Sequence, residues 1–238
     1  VDMYIPGFQP YVDPQTKEKT HIRIIDLLTH SSGLPPYVSP SVVIEKCGVA
    51  DPDSLMNYIC TMPRDYKPTT TFQYSCLNFI TLQNILQNIT GETISDYAQK
   101  NIFDVLGMKH TTYNPKKNNK EEIMKLVAPT EKQPDGSVLL GEVHDPLARI
   151  MNHGNSGNAG VFSNAEDLAI LAAALMNGGE FNGKHVLGKI TVEAMTRVPE
   201  DLKHIGCSLG WHNHTPYSSN NGNIFHPTRT FGHTGYTG

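Results

Sequence analysis

The sequence predicts an α+β fold, mainly helical, with part of an antiparallel sheet at its C-terminal end. Three observations carry that prediction. Apolar residues recur at helical spacing in successive stretches across residues 20–200. The tail from Leu209 is rich in Gly, Asn, Thr and aromatic residues and reads as strands, so residues 205–238 are expected to begin the sheet region. No internal repeat is visible, and 238 residues are enough to bury a substantial core.

In chain order, residues 1–20 mix Pro6, Gly7, Pro10 and Pro14 with charges and read as an extended surface connection. Ile22, Ile25 and Leu28 then lie three apart, a short amphipathic helix stopped by Ser31-Ser32-Gly33. Asp51-Pro52 supplies a cap and a first helical position ahead of Leu55, Met56 and Ile59. The clearest helix of this half carries Leu77, Ile80, Leu82, Ile85, Leu86 and Ile89 and stops at Thr90-Gly91. Another turns Ile94, Tyr97, Ala98, Ile102 and Leu106 inward and ends at Gly107. From His110 to Gly160 the periodicity fades while Pro, Gly and Asn accumulate. So long a connection inside a compact domain usually contributes to a binding site or a lid. Ser163 with Glu166 three residues on reads as a capping box. The helix it opens, through Met176, is apolar nearly all round and is expected to be buried. Asn177-Gly178-Gly179 ends it; a polar hairpin over residues 180–184 and a helix near residues 190–196 follow.

Composition narrows the function classes. Hydrophobic residues make up 38% of the chain and charged residues 18%, ordinary values for a soluble globular protein. A net charge of −4 without a cluster of Lys or Arg argues against nucleic acid as a partner, and Lys116, Lys117 and Lys120 read as solvated loop charge. The longest apolar run, residues 168–176, is too short to cross a bilayer. Four cysteines show neither a C-x-x-C pair nor metal-ligand spacing. Cys47, Cys60 and Cys207 read as buried thiols, and a Cys47–Cys60 disulfide is left open by the sequence. Val1 in place of an initiator Met, and a stop at Gly238 inside strand-forming sequence, read as cut ends.

Three constellations carry chemistry. Leu27-Leu28-Thr29-His30-Ser31-Ser32-Gly33-Leu34-Pro35 is a helix followed by a tight turn, with Gly33 free to take positive φ and Pro35 fixing the exit. Its His and Ser neighbours seldom face one another at a helix end, so a structural role is preferred. Phe72-Gln73-Tyr74-Ser75-Cys76-Leu77-Asn78-Phe79 places Tyr74 at a helix N-terminus, where the dipole favours phenolate and suits a proton shuttle, although on this phrase alone an ordinary half-buried Tyr is preferred. Phe231-Gly232-His233-Thr234-Gly235-Tyr236-Thr237-Gly238 alternates small residues, which lets a substrate backbone approach a strand edge and a backbone N–H face an oxyanion.

Taken together, their order and wording resemble the penicillin-binding and β-lactamase-like serine hydrolases: class C β-lactamases, esterases and D-alanyl-D-alanine peptidases. The resemblance runs from about Tyr4 to the last residue. The first phrase is similar to that family's LLTHTSGLP, Tyr74-Ser75-Cys76 falls where it has Tyr-Ser-Asn, and His233-Thr234-Gly235 where it has Lys-Thr-Gly or His-Thr-Gly. Gly141-Glu142-Val143-His144-Asp145, Gly160-Val161-Phe162-Ser163 and Asn177-Gly178-Gly179 resemble further family stretches.

The resemblance implies one incomplete β-lactamase-like domain over residues 1–238, with no cofactor and an extracytoplasmic location. It implies acyl transfer to a serine on a small-molecule or peptide-like ester or amide. The family's Ser-x-x-Lys nucleophile motif occurs nowhere in this chain and is expected upstream of Val1; Thr16-Lys17-Glu18-Lys19 mimics its spacing in a polar loop. Tyr74 is implied as the catalytic proton carrier and the backbone N–H of Tyr236 as an oxyanion donor. Substrate binding is implied for Cys76, Asn78, His233, Thr234 and Gly235. Cys76 departs from the family's Asn and weakens amide recognition, with Asn78 a partial substitute. His233 in place of Lys leaves a charge that titrates near neutrality. Both departures lean away from an efficient β-lactamase. Two rivals stand beside this reading: a metal enzyme using His212 and His214 on one strand face, and a catalytically inactive module binding cell-wall fragments or a protein partner.

Overall fold

A computed structural model describes residues 1–118, 121–218 and 230–237. Lys120 and Gly238 lie outside the described residues. Among the described residues nine α-helices follow one another: α1 (Ile24–Leu28), α2 (Pro40–Cys47), α3 (Pro52–Thr61), α4 (Cys76–Thr90), α5 (Ile94–Ala98), α6 (Asp104–Leu106), α7 (Glu121–Met124), α8 (Ala165–Met176) and α9 (Lys189–Thr196). Interspersed two-residue strands are β1 (Tyr11–Val12), β2 (Lys19–Thr20), β3 (Thr112–Tyr113), β4 (Glu131–Lys132), β5 (Val138–Leu139), β6 (Val161–Phe162), β7 (Glu180–Phe181) and β8 (Lys184–His185). They pair antiparallel as β1-β2, β3-β6, β4-β5 and β7-β8. The α+β class holds. Among the described residues of the C-terminal region, sheet-type pairing consists of two antiparallel bridges through His212, to Cys207 and to Gly232.

The predicted helices form for the predicted reasons. Asp51 accepts from the Ser54 N–H at 2.7 Å and Pro52 opens α3. Gly91, at φ 71°, ends α4. The helix expected over residues 94–106 is α5 and α6 joined by a π-helical turn, Gln99–Phe103, with Gly107 at φ 75° closing it. Helix α4 packs on both α1 and α3, and Leu27, Leu34, Leu55, Ile59, Leu77, Leu147 and Met151 are fully buried around it. Each such side chain stabilises the fold by roughly 1.5–3 kcal/mol relative to exposure.

Several expectations need correction. Residues 1–20 are not merely a surface connection: Val1, Ile5 and Phe8 are buried in the main core, and residues 11–20 form the β1-β2 hairpin. Pro and Gly masked an apolar spacing that packs. The cap of α8 is Asn164, which accepts from the Asp167 N–H, while the Ser163 hydroxyl bonds Thr111. Asp167, not Glu166, is buried, accepting from the His110 N–H and the Thr111 hydroxyl. Helix α8 is also not buried all round. Ile170, Leu171 and Ala174 pack against the cluster around Phe103 and Tyr113, whereas Leu168 and Met176 are exposed. The cysteines are free thiols, with Cys60 and Cys207 buried but Cys47 exposed.

Candidate active site

The turn after α1 and the start of α4 are stitched together. His30 takes φ 53° and Gly33 φ 80°. A Cβ on Gly33 would collide with the Tyr66 carbonyl oxygen. The Ser75 hydroxyl donates to the Pro35 carbonyl at 2.6 Å, the Cys76 N–H to the Pro36 carbonyl at 3.0 Å, and the Ser75 N–H to His30 Nδ1 at 3.2 Å. The phrase at residues 27–35 therefore acts structurally, by fixing residues 74–76 in space.

Asn78 belongs to this scaffold. It is fully buried; its Nδ2 donates to His30 Nδ1 at 3.1 Å and its Oδ1 accepts from the Ser32 hydroxyl at 2.5 Å. With both ends of its amide engaged it does not line the cavity, so it is no substitute for Cys76. A position two residues on along a helix points about 200° away, which is why the exchange fails.

The other six expected residues come together. Tyr74, Cys76, His233, Thr234, Gly235 and Tyr236 line one cavity of about 880 Å³, within the range of small-ligand sites. Much of the remaining wall comes from the long connection over residues 110–160, including Thr130, His144, Asp145, Ser156 and Asn158. The Tyr236 ring stacks on His144 at 4.7 Å between centroids.

Tyr74 does not lie in the environment the sequence suggested. Helix α4 is capped by Ser75, so Tyr74 stands outside its first turn. Burial first, then Cys76, Tyr217 and Asp145, push its phenol up to about 12, against the phenolate expectation. Its ring packs 4.4 Å from His30, 5.5 Å from Tyr217, and 6.0 Å from both His212 and His233.

Sequence reasoning offered His212 only as a metal ligand and missed Asn158. His212 is buried 4.5 Å from His233, ring to ring; burial, with His233 adding, pushes its imidazole down to about 4. His214 is exposed, so the two rings do not share a face as the metal rival required. Asp145 Oδ1 accepts from the Ala148 N–H at 2.8 Å and from Asn158 Nδ2 at 3.2 Å. Asn158 Oδ1 accepts from Ser156, whose hydroxyl accepts from Asn152. Burial pushes the Cys76 thiol up, Asp145 adds to this, and a bond from Asn158 opposes it. Asp145 was legible as part of a family-like phrase; Asn158 gave no signal of its own.

The Beta-lactamase family profile matches residues 1–238. A protein of Bacillus subtilis (strain 168) named N-acetylmuramyl-L-alanine amidase is 31% identical, covering 100% of this chain and 56% of its own length. One of Escherichia coli (strain K12), provisionally named a D-alanyl-D-alanine carboxypeptidase, is 31% identical over 99% of this chain and 57% of its own. The chain thus spans a little over half the length of these curated relatives. The fold is shared with a penicillin-binding protein homologue from Caulobacter crescentus, at a TM-score of 0.64 and 16% identity over 99% of this chain and 64% of that one. The motifs, the shared fold and a match running the length of the sequence agree: the chain belongs to the β-lactamase family.

Proposed function

We propose that this chain is the larger part of a serine hydrolase that works through an acyl-enzyme on an ester or amide, acting outside the cytoplasm on small or peptide-like substrates. The observation that carries this is the gathering of Tyr74, Cys76 and residues 233–236 around one cavity. In this reading a serine from a Ser-x-x-Lys motif outside the chain attacks the substrate carbonyl. Its proton passes by way of the paired Lys and Tyr74 to the leaving group. Water then attacks the acyl carbon, giving the free acid and restoring the serine. The Tyr236 backbone N–H is one oxyanion donor and the serine's own N–H the other; losing one costs ~10²–10³ in rate. A phenol pushed up to about 12 is a poor base by itself, so the mechanism requires a cation, the motif's Lys, beside Tyr74.

Labelling of the longer protein with a fluorophosphonate, followed by mapping of the modified serine, tests the reading. Serine modification in a Ser-x-x-Lys context is expected, with Tyr74→Phe slowing turnover by ~10²-fold or more at an unchanged fold. Absence of labelling, or wild-type turnover in Tyr74→Phe, overturns it. A second reading, an inactive binding module, draws on Cys76 and on a Tyr74 phenol that burial, Cys76, Tyr217 and Asp145 all push up. It takes over if no serine reacts.

A further inference from the structure

We propose that Asp145, together with Asn158 and the rings of Tyr37 and Tyr74, forms a subsite for a primary ammonium group carried by the substrate. The proposal rests on the acyl-transfer reading for its substrate and adds the substrate's charge class. Apart from three histidines, His110, His144 and His233, Asp145 is the only acidic or basic side chain among the described residues that line the cavity. None of those residues is a Lys or Arg that would receive a carboxylate. Arg149, four residues away, is turned elsewhere: its Nη1 donates to the Val143 and His144 carbonyls at 2.9 and 2.6 Å and faces Glu131 at 3.8 Å.

The carboxylate is held in place. Oδ1 is fixed by the Ala148 N–H and Asn158 Nδ2, and Asn158 is fixed in turn by Ser156. Its negative field reaches across the cavity. Tyr37, Tyr74 and Cys76 are each pushed up by burial first and by Asp145 in addition, with the Arg149 charge opposing at Tyr37. A carboxylate fixed in a partly desolvated cavity disfavours an anion beside it and favours a cation. An ammonium brings three donors and no acceptor. Asp145 and Asn158 Oδ1 supply acceptors, and two phenol rings supply the surface on which such a cation sits.

Asp145 also has a structural task, because its bond to the Ala148 N–H caps the turn that follows Pro146. Asn caps as well as Asp, so Asp145→Asn removes the charge and keeps the cap. A purely structural Asp145 would leave the preference below unchanged.

The test uses the longer protein and three matched 4-nitrobenzyl esters: alanine (ammonium), N-acetylalanine (neutral) and N-succinylalanine (anionic), in both enantiomers. The expected kcat/KM order is ammonium over neutral by roughly 10–100-fold, the worth of a charge-assisted hydrogen bond, with the anion poorest. In Asp145→Asn the ammonium-to-neutral ratio falls toward one, with a melting temperature near that of wild type. A wild-type ratio at or below one, or an unchanged ratio in the variant, overturns the proposal. If none of the esters is hydrolysed, the hydrolase reading fails and the subsite is read by calorimetric titration with alaninol and N-acetylalaninol. Tighter binding of alaninol, lost in Asp145→Asn, upholds the subsite. Equal binding of the two overturns it.

Discussion

His30 and Asn78 have the residue types of a catalytic pair and the positions of a brace. His30 Nδ1 accepts from two N–H donors, the Ser75 backbone and Asn78 Nδ2. Its proton therefore sits on Nε2, and burial, with His212 and His233 adding, pushes the ring down to about 3. Replacing Asn78 by Ala strips Ser32 and His30 of a buried partner. The expected cost is roughly 1–3 kcal/mol, read as a fall in melting temperature of roughly 2–4 °C per kcal/mol in a chain of this size. A wild-type melting temperature with a raised KM would instead place Asn78 at the substrate and not in the brace.

Helix α4 supports the site from its first turn and from its middle. Its first turn presents Cys76, while farther along Gln83 clamps the loop that carries Asn158. Gln83 Oε1 accepts from the Gly157 N–H at 2.8 Å, and Gln83 Nε2 donates to the Asn155 carbonyl at 3.1 Å. The loop lies so close that a Cβ on Gly157 would collide with the Phe79 carbonyl oxygen. Gly157→Ala must therefore lift the loop from α4 and displace Asn158 and Ser156 from the cavity wall. Overpacking of this kind costs roughly 1–3 kcal/mol. A melting curve and kcat/KM measured on one preparation should both fall; a variant equal to wild type in both would show that the contact yields without moving the loop.

Across the whole molecule, stability is bounded in pH by groups buried in the neutral form. His30 and His212 are pushed from an ordinary 6.5 to about 3 and about 4. Below pH 6.5 the unfolded chain takes up protons that the folded one refuses. Their contribution is therefore complete above pH 6.5 and is lost as pH falls toward 3, at up to roughly 1.4 kcal/mol per pH unit for His30. On the alkaline side burial pushes Tyr66, Tyr74 and Tyr113 from 10.0 to about 12. That contribution is complete below pH 10 and is lost as pH rises toward 12. Burial likewise pushes the Cys207 thiol from 9.0 to about 12, so its contribution starts to fall near pH 9. Melting temperatures should form a plateau between pH 7 and 9 with a fall on each side. His30→Asn, which tolerates positive φ, should flatten the acid slope. A melting temperature that climbs from pH 6.5 to 4.5 would contradict the buried neutral imidazoles.

Local chemistry was legible in the sequence wherever a feature depends on near neighbours. The Asp51-Pro52 start of α3, the Gly91 end of α4 and the hairpin at residues 180–185 all follow from short-range backbone hydrogen bonding and φ preferences. So did the motifs that place Tyr74 and residues 233–236 in one family and, in the folded chain, around one cavity. Burial and direction were decided only by the tertiary structure. Apolar pattern alone could not tell that one face of α8 stays exposed, or that residues 1–8 reach the core. The ionisation of Tyr74 was misjudged because desolvation by residues distant in sequence outweighs the local helix dipole. Asn158 entered the site, and Asn78 left it, for the same reason: which atoms meet across 46 or 72 residues of chain is a property of packing, and no local rule encodes it.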